Sequence, residues 1–319
     1  MLNHGSCSQL SRIQHSDDIS LTMASLRKSV LITGCSKGGI GSALAEVFQE
    51  KGYHVFATVR NHSKISPNLS RAKNVTVLNL DVLSSGSIAA AVQSVETATD
   101  GKLDVLVNNS GSTMLVPALD ASIDESKKLF DLNFWAPMAM LQAFAPLLIN
   151  AKGCVVNNTS VNAQVPMGFM SIYNSSKAAL AAASETWRHE LQPLGVRTIT
   201  LLTSGVKTGS FADYEDIPLP ETSHYYKVRQ FIHDIADGRL QEGAITPRQY
   251  ATKVVREVEK GTAGTVWAGT SAFMIRLACW LSPQLVMDML VERIVPVGKE
   301  MSQAAQKKKR LIVGLLNMI

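Results

Sequence analysis

The chain has 319 residues, 46% hydrophobic and 18% charged, with a net charge of +5. That is enough apolar residue for one large core, and too little charge, with no basic–aromatic stripe, for a nucleic-acid surface. Four scattered cysteines (Cys7, Cys35, Cys154, Cys279) and seven histidines without H-x-x-x-H spacing argue against a disulfide framework and a metal site, and predict reduced thiols.

Residues 1–27 are polar and hold no long apolar run, so they predict a disordered leader and no secretory signal. Ordered patterning begins after Met23, an alternative start. Residues 29–33 form a short apolar run that stops at glycine, the profile of a buried parallel strand. A glycine-rich turn over 34–41 then leads into a helix over 42–51, closed by Gly52 as its C-cap. Strands are expected at 54–59 and 75–80. A helix over 84–97 follows with Ser84 as N-cap, and a fourth strand at 103–107 runs into Asn108-Asn109-Ser110-Gly111.

Two helices (123–133 and 135–150), a fifth strand (154–157), a helix over 172–191 and a sixth strand (196–202) come next. Residues 209–246, with Pro218 and Pro220, read as an irregular lobe inserted over the site. Pro247 starts a helix to 260, and 265–269 is a last strand. Strands alternating with helices at this spacing predict an α/β fold with a single doubly wound parallel sheet, whose ligands bind beyond the strands' carboxyl ends.

The motifs fall at such ends. Thr33-Gly-Cys-Ser-Lys-Gly-Gly-Ile-Gly41 sits between a strand and a helix, where glycines admit a pyrophosphate and the helix N-terminus supplies N–H donors. Strand two ends at Arg60 with no acid, and Lys37 lies in the glycine loop. Two cations favour the 2′-phosphate of NADPH over the free ribose hydroxyl of NADH. Tyr173 and Lys177 stand one helical turn apart, so an ammonium beside the phenol is expected to lower the tyrosine pKa toward general acid–base use. Ser160 lies thirteen residues earlier, across a loop, where its hydroxyl can bond a substrate carbonyl.

Over roughly residues 28–208, and more weakly to 268, these motifs resemble the short-chain dehydrogenase/reductase family, which has a Rossmann fold. The glycine loop has one residue more than the usual T-G-x-x-x-G-x-G, which leaves Gly38 and Gly39 as alternatives for the phosphate-facing glycine. The usual N-N-A-G carries Ser110 for alanine, and the usual P-G-x-x-x-T reads Thr203-Ser-Gly-Val-Lys-Thr208. The resemblance implies a catalytic tetrad of Asn133, Ser160, Tyr173 and Lys177. Tyr173 would donate the proton, Ser160 polarise the carbonyl, Lys177 bind the nicotinamide ribose, and Asn133 hold a relaying water. It implies cofactor contacts from Gly34, Ser36, Lys37, Gly39, Ile40, Gly41, Arg60, Asp81, Asn109, Tyr173, Lys177, Val206 and Thr208, and a homo-oligomer. Within the family, the glycine loop, Tyr-Asn-Ser-Ser-Lys and Gly-Val-Lys-Thr are similar to fungal NADPH-dependent 1-acyldihydroxyacetone-phosphate reductases.

The region 209–246 has seven acids (Asp213, Glu215, Asp216, Glu221, Asp234, Asp237, Glu242) against Lys227, Arg229 and Arg239, a poor cradle for a phosphorylated lipid, although Lys207 just before it can still reach a phosphate. A phosphate-free polyketide or terpenoid ketone of a secondary-metabolite pathway is the alternative substrate. A non-catalytic NADP-binding regulator or scaffold is the rival of another class, and four filled tetrad positions weigh against it. The apolar C-terminal extension, 269–319, has stretches at 272–281 and 285–297 split by Ser282-Pro283, each too short to cross about 30 Å of hydrocarbon as a helix. Lys307-Lys-Lys-Arg310 precedes another apolar stretch. Two readings stand: a helix packed on the core or a dimer interface, or a peripheral patch on endoplasmic reticulum membrane or a lipid droplet. Either way, a cytoplasmic protein is expected.

Overall fold

A computed structural model of the chain describes residues 27–208, 219–236, 243–281, 284–303 and 306. The expected leader, much of the inserted lobe and the basic tail run therefore lie outside the described residues. The elements run β1 (Ser29–Ile32), α1 (Ile40–Glu50), β2 (His54–Val59), α2 (Pro67–Arg71), β3 (Val75–Asn79), α3 (Ser85–Thr99) and β4 (Val105–Asn108). Then come α4 (Ile123–Phe130), a π-helical turn (Asp131–Trp135), α5 (Ala136–Ala151), β5 (Cys154–Asn158), α6 (Ser171–Leu191) and β6 (Arg197–Thr203). After these lie α7 (Arg229–Ala236), α8 (Pro247–Glu259), β7 (Gly264–Ala268), α9 (Ala272–Leu281) and α10 (Gln284–Ile294).

The seven strands pair in parallel in the order β3-β2-β1-β4-β5-β6-β7. Alternate residues of the central strands face opposite sides. Val30 and Ile32, Val55 and Ala57, Val105 and Val107, and Cys154 and Val156 pack with α1 and α8. Leu31, Phe56, Leu106 and Val155 pack under α3, α5 and α6. The register puts Leu31 opposite both Phe56 and Leu106, and Leu106 opposite Val155, so that row is continuous across four strands. A fully buried side chain of this size contributes about 1.5–3 kcal/mol, which fixes strand order and face together. The order reverses between β1 and β4, so the loops after these strands diverge and open a crevice at their carboxyl ends.

Local chemistry sets the helix ends. The Ser84 side chain accepts from Ser87 N–H, and Thr246 with Gln249 closes a capping box on α8. Three expectations need correction. First, α1 starts two residues early, capped by Gly39, and its C-cap is Lys51; Gly52 follows at φ +86° as the left-handed residue after the cap. Second, the two helices expected over 123–150 are one unbroken helical stretch, Ile123–Ala151, joined by the π-helical turn. That stretch is long and apolar enough to cross a bilayer, but Met140, Leu141, Phe144, Leu147 and Leu148 bury against the sheet, which makes it a core helix. Third, the lobe is not wholly irregular: α7 forms within its described part.

Candidate active site

The glycine loop is held by its neighbours. Thr33 Oγ1 accepts from the backbone N–H groups of Asn109 and Ser110, both at 2.9 Å, and Asn109 Nδ2 donates to the carbonyls of Thr33 (2.9 Å) and Gly34 (3.2 Å). This packing leaves no room at Gly41, where a Cβ would meet the Gly34 carbonyl oxygen, and would lie 2.6 Å from Asn109 Nδ2. Of the two alternatives in the turn, Gly38 is left-handed at φ +81° with open space beside it, and Gly39 is the extended cap of α1. Gly39 offers no side chain to the first-turn N–H groups, and no acid lies in that turn. The positive end of α1 is thus left for an anion, and Ser36, Lys37 and Gly38 are exposed beside Ile40.

The end of β2 joins this loop. Cys35 N–H donates to the Thr58 carbonyl and Lys37 N–H to the Lys64 carbonyl, both at 2.8 Å. Arg60, Lys37 and Lys64 therefore share one exposed edge with no acid at the strand end. Lys64 was not legible as part of it, because the short 3₁₀ turn His62–Lys64 that brings it there has no sequence period. Asp81 stands exposed beyond β3, where its Oδ1 accepts from Leu83 N–H at 3.0 Å. Val206 is buried beyond β6 and bridges to Ile245, and Thr208 is the last described residue of that segment.

The catalytic candidates gather beyond β4 and β5. Ser160 caps a 3₁₀ turn: its Oγ accepts from Asn162 N–H at 3.1 Å, and the serine lies near enough to the Tyr173 hydroxyl to act to lower its pKa. Asn162 Nδ2 donates to Asn174 Oδ1 (3.0 Å), and Asn174 Nδ2 to the Met167 carbonyl (2.9 Å), which pins the loop between the two residues. Lys177 is buried, and its Nζ donates to the Asn158 carbonyl at 3.0 Å and lies 6.0 Å from the Tyr173 ring centre. Burial lowers its pKa to about 8.

The expected fall in the tyrosine pKa is not seen. Tyr173 is partly buried, atoms crowd its hydroxyl, and desolvation raises its pKa above the usual 10.0 despite the opposing effect of Ser160. Lys177 Nζ lies 6.0 Å from the ring centre, and in the resting protein desolvation of the phenol outweighs what lowers its pKa. Asn133 is fully buried in the π-helical turn. Its side chain bonds Ser112 N–H (3.0 Å), the Ser112 carbonyl (2.9 Å) and Ser176 Oγ (3.0 Å), so that amide is committed to holding the loop after β4. A Cβ on Gly111 would lie 3.0 Å from Asn133 Oδ1 and 3.3 Å from Lys177 Nζ, which brings this glycine into the same corner.

Tyr173 also stands where two apolar clusters meet. One is Met114, Val116 and Leu129; the other includes Leu115, Phe169, Met170, Val228, Ile232, Ile235 and Val295. Phe169 adopts a left-handed φ of +62°, and its carbonyl accepts from Val116 N–H at 2.7 Å. Val297 lies 2.7 Å from where a Cβ on Gly168 would be, so part of the C-terminal extension forms a wall beside Tyr173. Of the two readings of that extension, packing on the core holds for this segment. Among the described residues no group of His, Cys, Asp and Glu could hold a metal ion.

A model of the family described as short chain dehydrogenase matches residues 28–217. The chain is 39% identical over 272 residues to "Short-chain dehydrogenase ptmH" of Penicillium ochrochloron, covering 85% of this chain and 99% of that protein. It is 42% identical over 209 residues to an "NADPH-dependent 1-acyldihydroxyacetone phosphate reductase" of Schizosaccharomyces pombe, covering 64% of this chain and 70% of that one. Among solved structures, a short-chain dehydrogenase from Streptomyces avermitilis superposes with a TM-score of 0.69 at 23% identity, over 86% of this chain and 98% of the other.

Proposed function

The chain belongs to the short-chain dehydrogenase family, oxidoreductases acting on CH–OH and C=O groups with a nicotinamide cofactor, and from that premise we propose that it uses NADPH to reduce an uncharged, hydrophobic ketone to a secondary alcohol. The observation that carries the reading is Tyr173, beside Ser160 at the junction of two apolar clusters and one helical turn from a buried lysine. Gly34, Gly39 and Gly41 of the glycine loop would hold the cofactor's pyrophosphate and Arg60 and Lys37 the 2′-phosphate of NADPH, and the bound cofactor would supply the hydride for the carbonyl carbon.

Tyr173 supplies the proton to the carbonyl oxygen, and its raised pKa keeps that proton in place at neutral pH. Ser160 hydrogen-bonds the same oxygen and orients it. As the proton leaves, negative charge develops on the phenol oxygen, and the Lys177 ammonium, tethered to the Asn158 carbonyl, stabilises it. Asn133 acts as a positioning residue for the loop after β4.

The wall chemistry supports a phosphate-free substrate. Every buried side chain of the described lobe is apolar, and Glu221, Lys227 and Arg229 are exposed, with Arg229 stacked on the Tyr226 ring at 4.1 Å. A substrate phosphate beside Tyr173 would lose hydration without gaining a cation among these residues. This favours a tailoring ketoreductase of secondary metabolism over a 1-acyldihydroxyacetone-phosphate reductase. Competing the two substrate classes in one NADPH assay decides the point: apolar ketones are expected to win by about tenfold or more in kcat/KM, and preference for the phosphorylated lipid would reverse the assignment.

A shallow membrane contact is the second part of the proposal. α9 is apolar nearly all round, with Arg276 its one charge, and leaves Phe273, Met274, Trp280 and Leu281 exposed. α10 adds Met289, Leu290 and Ile294. With Lys307–Arg310 following in sequence, this pattern suits an anionic lipid surface. The protein is expected to float with vesicles containing anionic lipid, and a Phe273→Ser/Trp280→Ser variant to stay in solution. Equal flotation of the two, or none for either, would remove the membrane reading. Cutting the chain after Pro296 is a poor test, because it deletes Val297 and Met301 from the wall beside Tyr173.

A further inference from the structure

Among the five buried residues of α8, Tyr250 alone carries a side-chain polar atom; the others are Ala251, Val254, Val255 and Val258. Tyr250 is fully buried, and a hydroxyl in that position costs stability unless it is bonded. Its partner is Thr203 Oγ1 at the end of β6, 2.6 Å away. Thr203 in turn donates to Asn158 Oδ1 at 2.6 Å, so the proton between Tyr250 and Thr203 comes from the tyrosine. The Tyr250 hydroxyl also lies 3.4 Å from Asn158 Oδ1.

From Asn158 the chain continues in the same sense. Asn158 Nδ2 donates to Asn109 Oδ1 at 3.0 Å, and Asn109 Nδ2 donates to the Thr33 and Gly34 carbonyls. Four side chains thus form one run of donors from α8, across the ends of β6, β5 and β4, to the glycine loop after β1. Each bond polarises the next, and the run fixes both ends of the Asn158 amide. The main-chain carbonyl of that same residue holds Lys177 Nζ.

We propose that Tyr250 is a positioning residue, which through Thr203, Asn158 and Asn109 sets the glycine loop and the Lys177 tether in one geometry. Tyr250 touches neither reacting atom; it keeps the phosphate-binding loop and the catalytic lysine in register with each other. This inference rests on the roles given above to Lys177 and the glycine loop.

Tyr250→Phe tests it, since the ring and its packing stay and only the hydroxyl goes. Loss of one buried hydrogen bond in a coupled run is expected to weaken NADPH about fivefold to tenfold and to lower kcat by a similar factor, with the ketone KM unchanged. Thr203→Val is expected to reproduce this and Thr203→Ser to retain wild-type values, while the double variant Tyr250→Phe/Thr203→Val is no worse than the Thr203→Val single. NADPH affinity is read by fluorescence titration without substrate, so this arm still reports if the ketone assignment fails. A Tyr250→Phe protein with a lower melting temperature but unchanged NADPH affinity and kcat would overturn the proposal and leave Tyr250 a packing residue. Additive losses in the double variant would also overturn it.

Discussion

Tyr173→Phe is expected to lose about 10²–10⁴-fold in reductive turnover, the range that general acid catalysis supplies, while NADPH binding stays near wild type. The phenyl ring still fills the junction of the two apolar clusters, so the variant should fold and bind; only the hydroxyl beside Ser160, the proposed proton donor, is gone. The pH dependence of the wild type follows from the same pair. Tyr173 is held protonated by burial, so the donor itself does not fail at moderately alkaline pH. Lys177, with a pKa of about 8, loses its charge as pH rises through that value, and with it the stabilisation of the developing phenolate. Reduction should therefore be flat below about pH 7 and fall above about pH 8. Turnover by Tyr173→Phe within about tenfold of wild type would mean that another group delivers the proton.

The second large effect is on cofactor choice. Arg60→Asp combined with Lys37→Glu is expected to weaken NADPH by about 100-fold or more, because each cation–phosphate hydrogen bond is worth about 1.5–3 kcal/mol and is here replaced by repulsion. NADH, without the 2′-phosphate, should change only a few-fold and can improve, since the carboxylate introduced at the end of β2 would accept from its ribose hydroxyl. The contact between Lys37 N–H and the Lys64 carbonyl adds a third cation to this edge, so single variants should show smaller losses than the pair. Equal losses for the two cofactors would show that these residues hold the loop rather than read the phosphate.

Much of this site could be read from the sequence, for a physical reason. Strand period, glycine position and the i, i+4 spacing of Tyr173 and Lys177 are local signals, and a doubly wound sheet carries every strand end to one crevice. The same logic recovered all seven strands, with ends displaced by a residue or two. What stayed hidden depends on contacts distant in sequence. The π-helical turn that buries Asn133 has no period of its own within an apolar stretch that continues as helix. Tyr250 lies 92 residues from Asn158, in a helix whose apolar face predicts only packing. The rise in the Tyr173 pKa was missed because spacing places Lys177 nearby but does not say how much protein surrounds the hydroxyl. The wall from Val295 to Met301 was legible as apolar sequence, yet not as part of the cleft, since only the fold brings Val297 onto Gly168.

Everything proposed for the site depends on one event, the reduction of an uncharged ketone by NADPH with Tyr173 as the proton donor. It is tested most directly by measuring NADPH consumed against secondary alcohol formed when the purified protein is given an apolar ketone at neutral pH. One alcohol is expected per NADPH oxidised, with both signals lost in Tyr173→Phe. A protein that binds NADPH tightly yet oxidises none of it with any ketone would contradict this mechanism and return the chain to the non-catalytic reading.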